Sequence, residues 1–319
     1  MLLLINKYSS IYNSVMIKLL TGMDDNYLKG LIAHLENINL KIEKVDKINY
    51  GVQLTAISNN KKEYKIRVYQ NSKGKITLDA SLIKDDEIRL SVLEYNGEEN
   101  PYPLVNPPLI GTDEAGKGDY FGPLCVCAFY ADEEIYLNLK KIGVKDSKTL
   151  NDKQINDISE KLKVYNKNYS IVKIGNKKFN EFYDKTSNIN AIMGWAHATA
   201  VKNVLKNVNC KNVLTDKYGS EHWLTKNLND KSIFIQQYPK AEQNLAVAAA
   251  SILARNAFVK SLDELSRRYN MRFPLGAGAS IDDTAVKLIL AYGDEVLIET
   301  AKVNFKNTER ILQRVKNHE

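Results

Sequence analysis

The segment Gly111 to Pro123, reading Gly-Thr-Asp-Glu-Ala-Gly-Lys-Gly-Asp-Tyr-Phe-Gly-Pro, leaves the chain around it few shapes to adopt. An apolar run, Leu109-Ile110, leads into the acidic pair Asp113 and Glu114, and a glycine-rich loop follows at once. Leu124 to Tyr130 then reads as a returning strand, so a hairpin opens this part of the fold. Adjacent strand residues point to opposite faces, so both acids reach one site only if the strand ends or bends there. Gly111, Gly116 and Gly118 make such a bend available. Two carboxylates beside exposed backbone amides suit the holding of divalent cations against a phosphodiester.

Beyond this hairpin, strand and helix patterns alternate. Strands are expected at Leu109–Glu114, Leu124–Tyr130, Tyr169–Gly175, Asn212–Asp216 and Ser232–Gln237. Helices are expected at Asp152–Tyr165, Ile189–Lys206, Asn244–Tyr269, Asp282–Tyr292 and Glu299–Lys316. That order predicts an α/β layer fold, a mixed sheet flanked by helices. Upstream, Pro101 to Pro108 holds four of the seven prolines. Proline fixes φ and biases its predecessor to extended backbone, so 101–108 reads as a stiff linker between domains over 1–100 and 109–319.

In the first domain a helix at Asp25–Asn37 precedes strands at Gly51–Ser58, Glu63–Gln70, Lys75–Ser81 and Arg89–Tyr95, a small α+β pattern. A hairpin around Asn71–Gly74 puts Tyr64, Ile66, Val68, Ile76 and Leu78 on one face. Lys65, Arg67 and Tyr69 take the other face with Lys75 and Thr77. Such a basic, aromatic surface reads equally as a grip on a nucleic-acid backbone or as a solvated outer face.

Composition narrows the function classes. A chain that is 44% hydrophobic and 26% charged is globular. A net charge of +7 permits a polyanionic partner without demanding one. Lysines between Lys140 and Lys178 carry part of the excess, and Lys302, Lys306, Arg310, Arg314 and Lys316 recur along the terminal helix, each run reading as a solvated face or a binding face. The three cysteines form no zinc spacing, and Cys125 and Cys127 read as small core residues on one side of a strand. His34 and His197 lie in apolar helical stretches, where a packed histidine is the favoured reading over a ligand. No run approaches the roughly 18 apolar residues of a membrane span. The apolar start Met1–Ile5 lacks a basic leader, so the expected setting is the cytoplasm, with no membrane partner.

Phosphodiester hydrolysis needs a nucleophilic water and neutralised charge on the attacking and leaving oxygens. Three or four converging carboxylates supply this when they hold two Mg²⁺ or Mn²⁺ ions roughly 3.5–4 Å apart. Asp216 ends the run Asn-Val-Leu-Thr-Asp, and Glu242 precedes the small-residue helix Leu245–Arg255, whose alanines let it lie close to a sheet. Singly, each acid has an ordinary reading: a turn residue, a charge at a helix N-terminus, a surface pair. Asp230, Asp282 and Asp283 also compete for the fourth place.

Taken in order, Asp113-Glu-Ala-Gly-Lys-Gly118, Gly122-Pro123, Asp146-Ser-Lys148, Asp216, Glu242 and Ala249-Ala-Ser-Ile-Leu-Ala-Arg255 resemble the signature of type 2 ribonucleases H over about 200 residues. The Gly-Lys-Gly loop, Thr215–Tyr218, Phe273–Gly278 and the extra N-terminal domain look more like ribonuclease HIII than ribonuclease HII. The resemblance implies a ribonuclease H-like sheet preceded by a small domain similar to the TATA-binding protein. It implies that Asp113, Glu114, Asp216 and Glu242 bind Mg²⁺ or Mn²⁺, two ions during catalysis, with Asp113 bridging them. By the same resemblance the amides at Gly116, Lys117 and Gly118 read 2′-hydroxyls. Ser147 and Lys148 contact a substrate phosphate, their ordinary alternative being a polar loop before a helix. Lys65, Arg67 and Tyr69 are the candidates for gripping the duplex, and Ser251 and Arg255 are structural.

The implied activity is endonucleolytic hydrolysis of the RNA strand of RNA–DNA hybrids, leaving 5′-phosphate and 3′-hydroxyl ends, by a monomer with no obligatory protein partner. Its rivals are ribonuclease HII-like cutting at a single embedded ribonucleotide and, from another class, a non-catalytic hybrid-binding protein. A nucleotide-triphosphatase loop fails on residues, since Gly-Lys is not followed by Ser or Thr and the loop opens a strand.

Overall fold

Within Gly51–Ser58 and Glu63–Gln70 apolar side chains recur at every second position, and that period buries one face of a sheet while leaving the other wet. The structure, a computed structural model, describes residues 25–71, 74–93, 95 and 105–317. It divides into two compact units, Met1–Leu104 and Val105–Glu319. The tip of the N-terminal hairpin and the first four residues of the expected 101–108 linker lie outside the described residues.

The first unit carries an antiparallel sheet of β1 (Leu40–Ile48), β2 (Gly51–Ser58), β3 (Glu63–Gln70) and β4 (Ile76–Asp79), in that order. Helices α1 (Asp25–Asn37) and α2 (Asp86–Leu93) accompany it. Leu28, Leu31, Ile32 and Leu35 of α1 and Val92 of α2 share a core with Val52, Leu54, Ile66 and Val68. His34 is packed as expected, its Nε2 2.7 Å from the carbonyl oxygen of Ser91. In the register Val68 pairs Leu78 and Tyr69 pairs Thr77, so the two faces divide as the alternation predicts.

Two expectations here are corrected. Arg89–Tyr95 is not a strand but lies largely within α2, because Ile88, Val92 and Tyr95 recur at helical spacing against the core and Asp85 Oδ1 accepts from the Ile88 amide. The first strand, β1, went unread because a bulge between Ile42 and Lys44 breaks its alternation.

The second unit is a mixed sheet of β5 (Leu109–Ala115), β6 (Leu124–Ala131), β7 (Tyr169–Ile174), β8 (Asn212–Asp216) and β9 (Phe234–Tyr238), ordered β7-β6-β5-β8-β9. Strand β5 runs antiparallel to β6 and parallel to β8, so the carboxyl ends of β5, β8 and β9 share one edge. Helices α3 (Glu133–Lys141), α4 (Asp152–Leu162), α5 (Asn176–Thr186), α6 (Ile189–Leu205), α7 (His222–Leu228), α8 (Leu245–Arg268), α9 (Ala279–Tyr292), α10 (Val296–Thr300) and α11 (Asn307–Lys316) complete it. One sheet face packs on α8, whose Ala246 to Ala250 share a core with Leu109, Cys127 and Phe129. The other packs on α6, where Ile192, Met193, Ala196 and Val201 meet Ile110, Val126 and Val213. Helix α8 is long and apolar enough to cross a membrane by length and composition alone, but it is a buried core helix.

The terminal helix expected over Glu299–Lys316 is two helices. Ala301 breaks it by forming a bridge with Phe121, and the Lys302 amide donates to the Tyr120 carbonyl at 2.8 Å. Nor are its basic residues one open stripe. Lys302 is fully buried, with Nζ donating to the carbonyls of Asp119 at 2.9 Å and Gly122 at 2.6 Å. Arg310 and Arg314 are paired with Asp282 and Asp283, each at 2.6 Å. Cys125 and Cys127 are buried, as expected of small core residues.

Candidate active site

A parallel pair that stops pairing leaves an opening at its carboxyl end, the common place for ligands in α/β sheets. The last pairing of β5 with β8 is Thr112 with Thr215. Asp113 and Asp216 are the next residues on each strand, side by side at that opening. No bend brings Glu114 to join them. β5 keeps an unbroken antiparallel register with β6 through Ala115, so Asp113 and Glu114 project from opposite faces of the strand. They meet the same opening from its two sides because β5 has run past its last pairing with β8.

The glycines act differently from the sequence expectation. Gly111 makes no turn; a Cβ there would lie 2.3 Å from the backbone of Ala246 and Val247, so it permits α8 to lie against β5. Gly116 does turn the chain, at φ +88°, with the Pro123 carbonyl 2.3 Å from where its Cβ would stand. Gly118 is exposed and meets nothing. The loop beyond is tied down by Phe273–Gly278, since the Gly276 amide donates to Asp119 Oδ1 at 2.6 Å and its carbonyl accepts from Tyr120 at 2.9 Å.

On the α8 side, Asp113 accepts from the Glu114 amide at 2.8 Å, and the nearby Ser251 hydroxyl favours its charged form. Asp216 accepts from the Ala241 amide at 3.1 Å. That bond ties β8 to the short turn Ala241–Gln243, which carries Glu242, buried at 7% exposure, to the opening ahead of α8. Lys148 Nζ donates to Glu242 Oε1 at 2.8 Å. Ser147 points inward, its hydroxyl 2.8 Å from that of Ser251, while Asp146 caps the turn and Asn151 caps α4 in a capping box.

The electrostatics link four carboxylates: Asp113, Glu114 and Asp216 act on one another, and Glu242 joins them through Asp216. Burial, then the charges of Glu114 and Asp216, push the Asp113 carboxyl well above the usual range. Burial, then Glu242 and Glu114, raise that of Asp216. Burial works against Glu242 too, but the Lys148 ammonium outweighs it and holds that carboxyl low. The competing acids are engaged elsewhere: Asp282 with Arg310 and Asn307, Asp283 with Arg314, and Asp230 in a turn before β9, on the opposite edge of the sheet.

On the α6 side the structure adds Thr112 and brings to the site His197, expected from sequence only as a packed histidine. Thr112 Oγ1 lies 2.6 Å from His197 Nδ1, and His197 Nε2 lies 3.4 Å from Glu114 Oε2. The imidazole is stacked on Tyr218, with centroids 4.5 Å apart. Lys117 Nζ donates to the Tyr218 carbonyl at 3.0 Å and sits 3.7 Å from Glu114 Oε1. Thr112 was findable, since it shares a strand face with Glu114; His197 is packed as expected, and nothing in an apolar helix marked it as a neighbour of the acids. In the N-terminal unit, Lys65, Arg67 and Tyr69 lie on the outer sheet face, tempered by acids: Lys65 is 3.7 Å from Glu63, and Lys44 is 2.8 Å from Asp46.

The donor set suits a hard cation. It consists of carboxylate oxygens without thiolate, and Glu242 Oε2 is buried without a hydrogen-bond partner. Among the described residues no three acidic, histidine or cysteine side chains converge closely enough, as they stand, to hold a metal ion between them. Mg²⁺ and Mn²⁺ sites are commonly open in this way, with a few carboxylates and the remaining positions left to water and substrate phosphate.

Comparison with known proteins adds three findings. The family model described as ribonuclease HII matches residues 110–308. A ribonuclease HIII from Protochlamydia amoebophila is 37% identical over 227 residues, 70% of this chain and 75% of that protein. One from Bacillus mycoides is 40% identical over 224 residues, 68% and 72% of the two chains. Among solved structures, Bst-RNase HIII in complex with Mn²⁺ matches with a TM-score of 0.63 at 25% identity, over 92% of this chain and 98% of its own.

Proposed function

The chain belongs to the ribonuclease HII family, beside its ribonuclease HIII members, and from that premise we propose how it works as a ribonuclease H. It hydrolyses the RNA strand of RNA–DNA hybrids and leaves 5′-phosphate and 3′-hydroxyl ends. The observation that carries this reading is the meeting of Asp113, Asp216, Glu114 and Glu242 at the opening between β5 and β8.

Those four carboxylates would hold Mg²⁺ or Mn²⁺. Held there, two such ions would supply a nucleophilic water at neutral pH and neutralisation of charge on the phosphoryl and departing oxygens. The protein's own part is positional. The Glu114 amide fixes Asp113 beside the Ser251 hydroxyl, and the Ala241 amide fixes Asp216. Lys148 keeps Glu242 ionised and stands ready to transfer its charge to a substrate phosphate. The turn Gly116–Gly118, open to solvent at Gly118, offers backbone amides to 2′-hydroxyls, which distinguish RNA from DNA. Lys65, Arg67 and Tyr69 of the N-terminal sheet, a domain similar in pattern to the TATA-binding protein, grip the duplex backbone.

The test is cleavage of an end-labelled RNA–DNA hybrid with Mg²⁺, Mn²⁺ or EDTA, beside Asp113→Asn. Metal-dependent cuts confined to the RNA strand and lost in the variant are expected. Tight hybrid binding without cleavage under every metal would remove the catalytic reading.

A further inference from the structure

Three buried polar atoms on the α6 side of β5 have no hydrogen-bond partner among the described residues: Glu114 Oε2, His197 Nε2 and the Tyr218 hydroxyl. Buried polar atoms are rarely left so, and two of these face each other. His197 Nε2 is 3.4 Å from Glu114 Oε2, just beyond hydrogen-bond range. His197 is wholly buried and its ring is clamped, stacked on Tyr218 at 4.5 Å with Thr112 Oγ1 2.6 Å from Nδ1.

The proton's place on the ring follows from these contacts. A threonine hydroxyl either donates or accepts, so the Thr112 contact alone allows a proton on either nitrogen. A bare Nε2, however, would set a lone pair against a carboxylate oxygen, two acceptors in contact inside the protein. A proton on Nε2, with Thr112 donating to Nδ1, aims a donor at Glu114 instead. Lys117 meanwhile faces the other oxygen, Oε1, at 3.7 Å.

We propose that His197 is a positioning residue for the metal site: fixed by Thr112 and Tyr218, it orients the Glu114 carboxylate by holding Oε2, so that Oε1 is presented to a divalent cation. Groups that orient a ligand from behind in this way typically carry ten- to a hundredfold in metal affinity or activity. The inference rests on the reading of Glu114 as a metal ligand.

The experiment uses the full chain free of nucleic acid, with Mn²⁺ as the probe, its binding followed by electron paramagnetic resonance and titration calorimetry. Melting of the metal-free protein is measured alongside. His197→Phe keeps the stacked ring and deletes the donor; its Mn²⁺ affinity is expected to fall roughly tenfold. His197→Gln places an amide donor near the Nε2 position and is expected to recover most of that loss. Thr112→Val, which keeps shape and removes the hydroxyl, is expected to weaken binding roughly three- to tenfold, and it decides the matter if the phenylalanine variant does not fold. Wild-type Mn²⁺ affinity in folded His197→Phe, or in Thr112→Val, overturns the proposal, as does a glutamine variant no better than phenylalanine. Glu114→Gln separates the two levels: unchanged Mn²⁺ affinity there withdraws the ligand reading itself.

Discussion

Replacing Gly111 by alanine should damage both the stability of this protein and the geometry of its sheet-edge site. The new Cβ would stand 2.3 Å from Ala246 C and Val247 N and 2.7 Å from Ala246 O. Ordinary contact begins about 1 Å farther out, and all three opposing atoms are backbone, so no rotamer change relieves the clash. Strand β5 and the first turn of α8 must separate instead. Overpacking of this kind costs about 1–3 kcal/mol, and the rigidity of both partners argues for the upper end. For a unit of this size that is a fall in melting midpoint of roughly 6–12 °C. The same movement parts Asp113, two residues along β5, from Glu242 and Ser251, which travel with α8. Misplacement of reacting groups by about 1 Å can cost around a hundredfold in rate. Calorimetric melting and hybrid cleavage, assayed well below the variant's midpoint, measure both effects. Gly118→Ala serves as the stability control, because its methyl meets nothing within 4 Å. A Gly111→Ala protein that melts within about 2 °C of wild type and cleaves at an unchanged rate would refute the close-packing argument.

Three further outcomes are expected. Lys148→Met leaves the buried Glu242 carboxylate without its ammonium; because Lys148 is 70% exposed, the metal-free protein should lose only about 1 kcal/mol. Millimolar Mn²⁺ should then raise the variant's melting midpoint more than that of wild type, and equal metal-induced shifts would count against a shared site. Burial pushes the Lys302 ammonium down to about 7, against 10.5 when unfolded. Between those values the unfolded chain holds a proton that the native protein lacks, so this group's penalty is greatest below pH 7 and stability rises with pH above it. Lys302→Met should flatten the unfolding free energy over pH 7 to 9.5 by up to about 1.4 kcal/mol per pH unit, and parallel slopes would mean the lysine stays charged. Replacing Lys65 and Arg67 by alanine should lower the salt dependence of hybrid binding by roughly one to two phosphate contacts, and an unchanged slope would free that sheet face from any substrate role.

What the chain revealed before folding depended on how local the governing interaction was. The alternation of Glu63–Gln70 and the alanines of α8 dictate which surface is buried, and the register and core follow them. Strand β1 hid behind its bulge, and α2 passed for a strand because Leu90, Val92 and Glu94 alternate in print while the core selects Ile88, Val92 and Tyr95. The break at Ala301 was invisible for a different reason. A helical pattern over 299–316 is sound locally, but Phe121 and Tyr120 claim the backbone of Ala301 and Lys302 from far along the chain.

The site divides in the same way. Asp113 and Asp216 could be named because each ends an apolar run, and a run that ends at a sheet edge delivers its last residue to that edge. Their adjacency needed the parallel register of β5 and β8, which no local pattern contains. The expectation that the strand must end or bend at Asp113-Glu114 came from assuming that two neighbours must share a face to share a site. The strand does not bend. It simply runs past its partner's last pairing, and an opening at the end of a strand can be reached from both of its faces. Opposite projection then becomes useful, since each carboxylate is supported by a different helix: Asp113 by Ser251 of α8, Glu114 by His197 of α6. Thus the site is built from both layers of the fold, and disturbing either helix should loosen one carboxylate while leaving the other's own support in place.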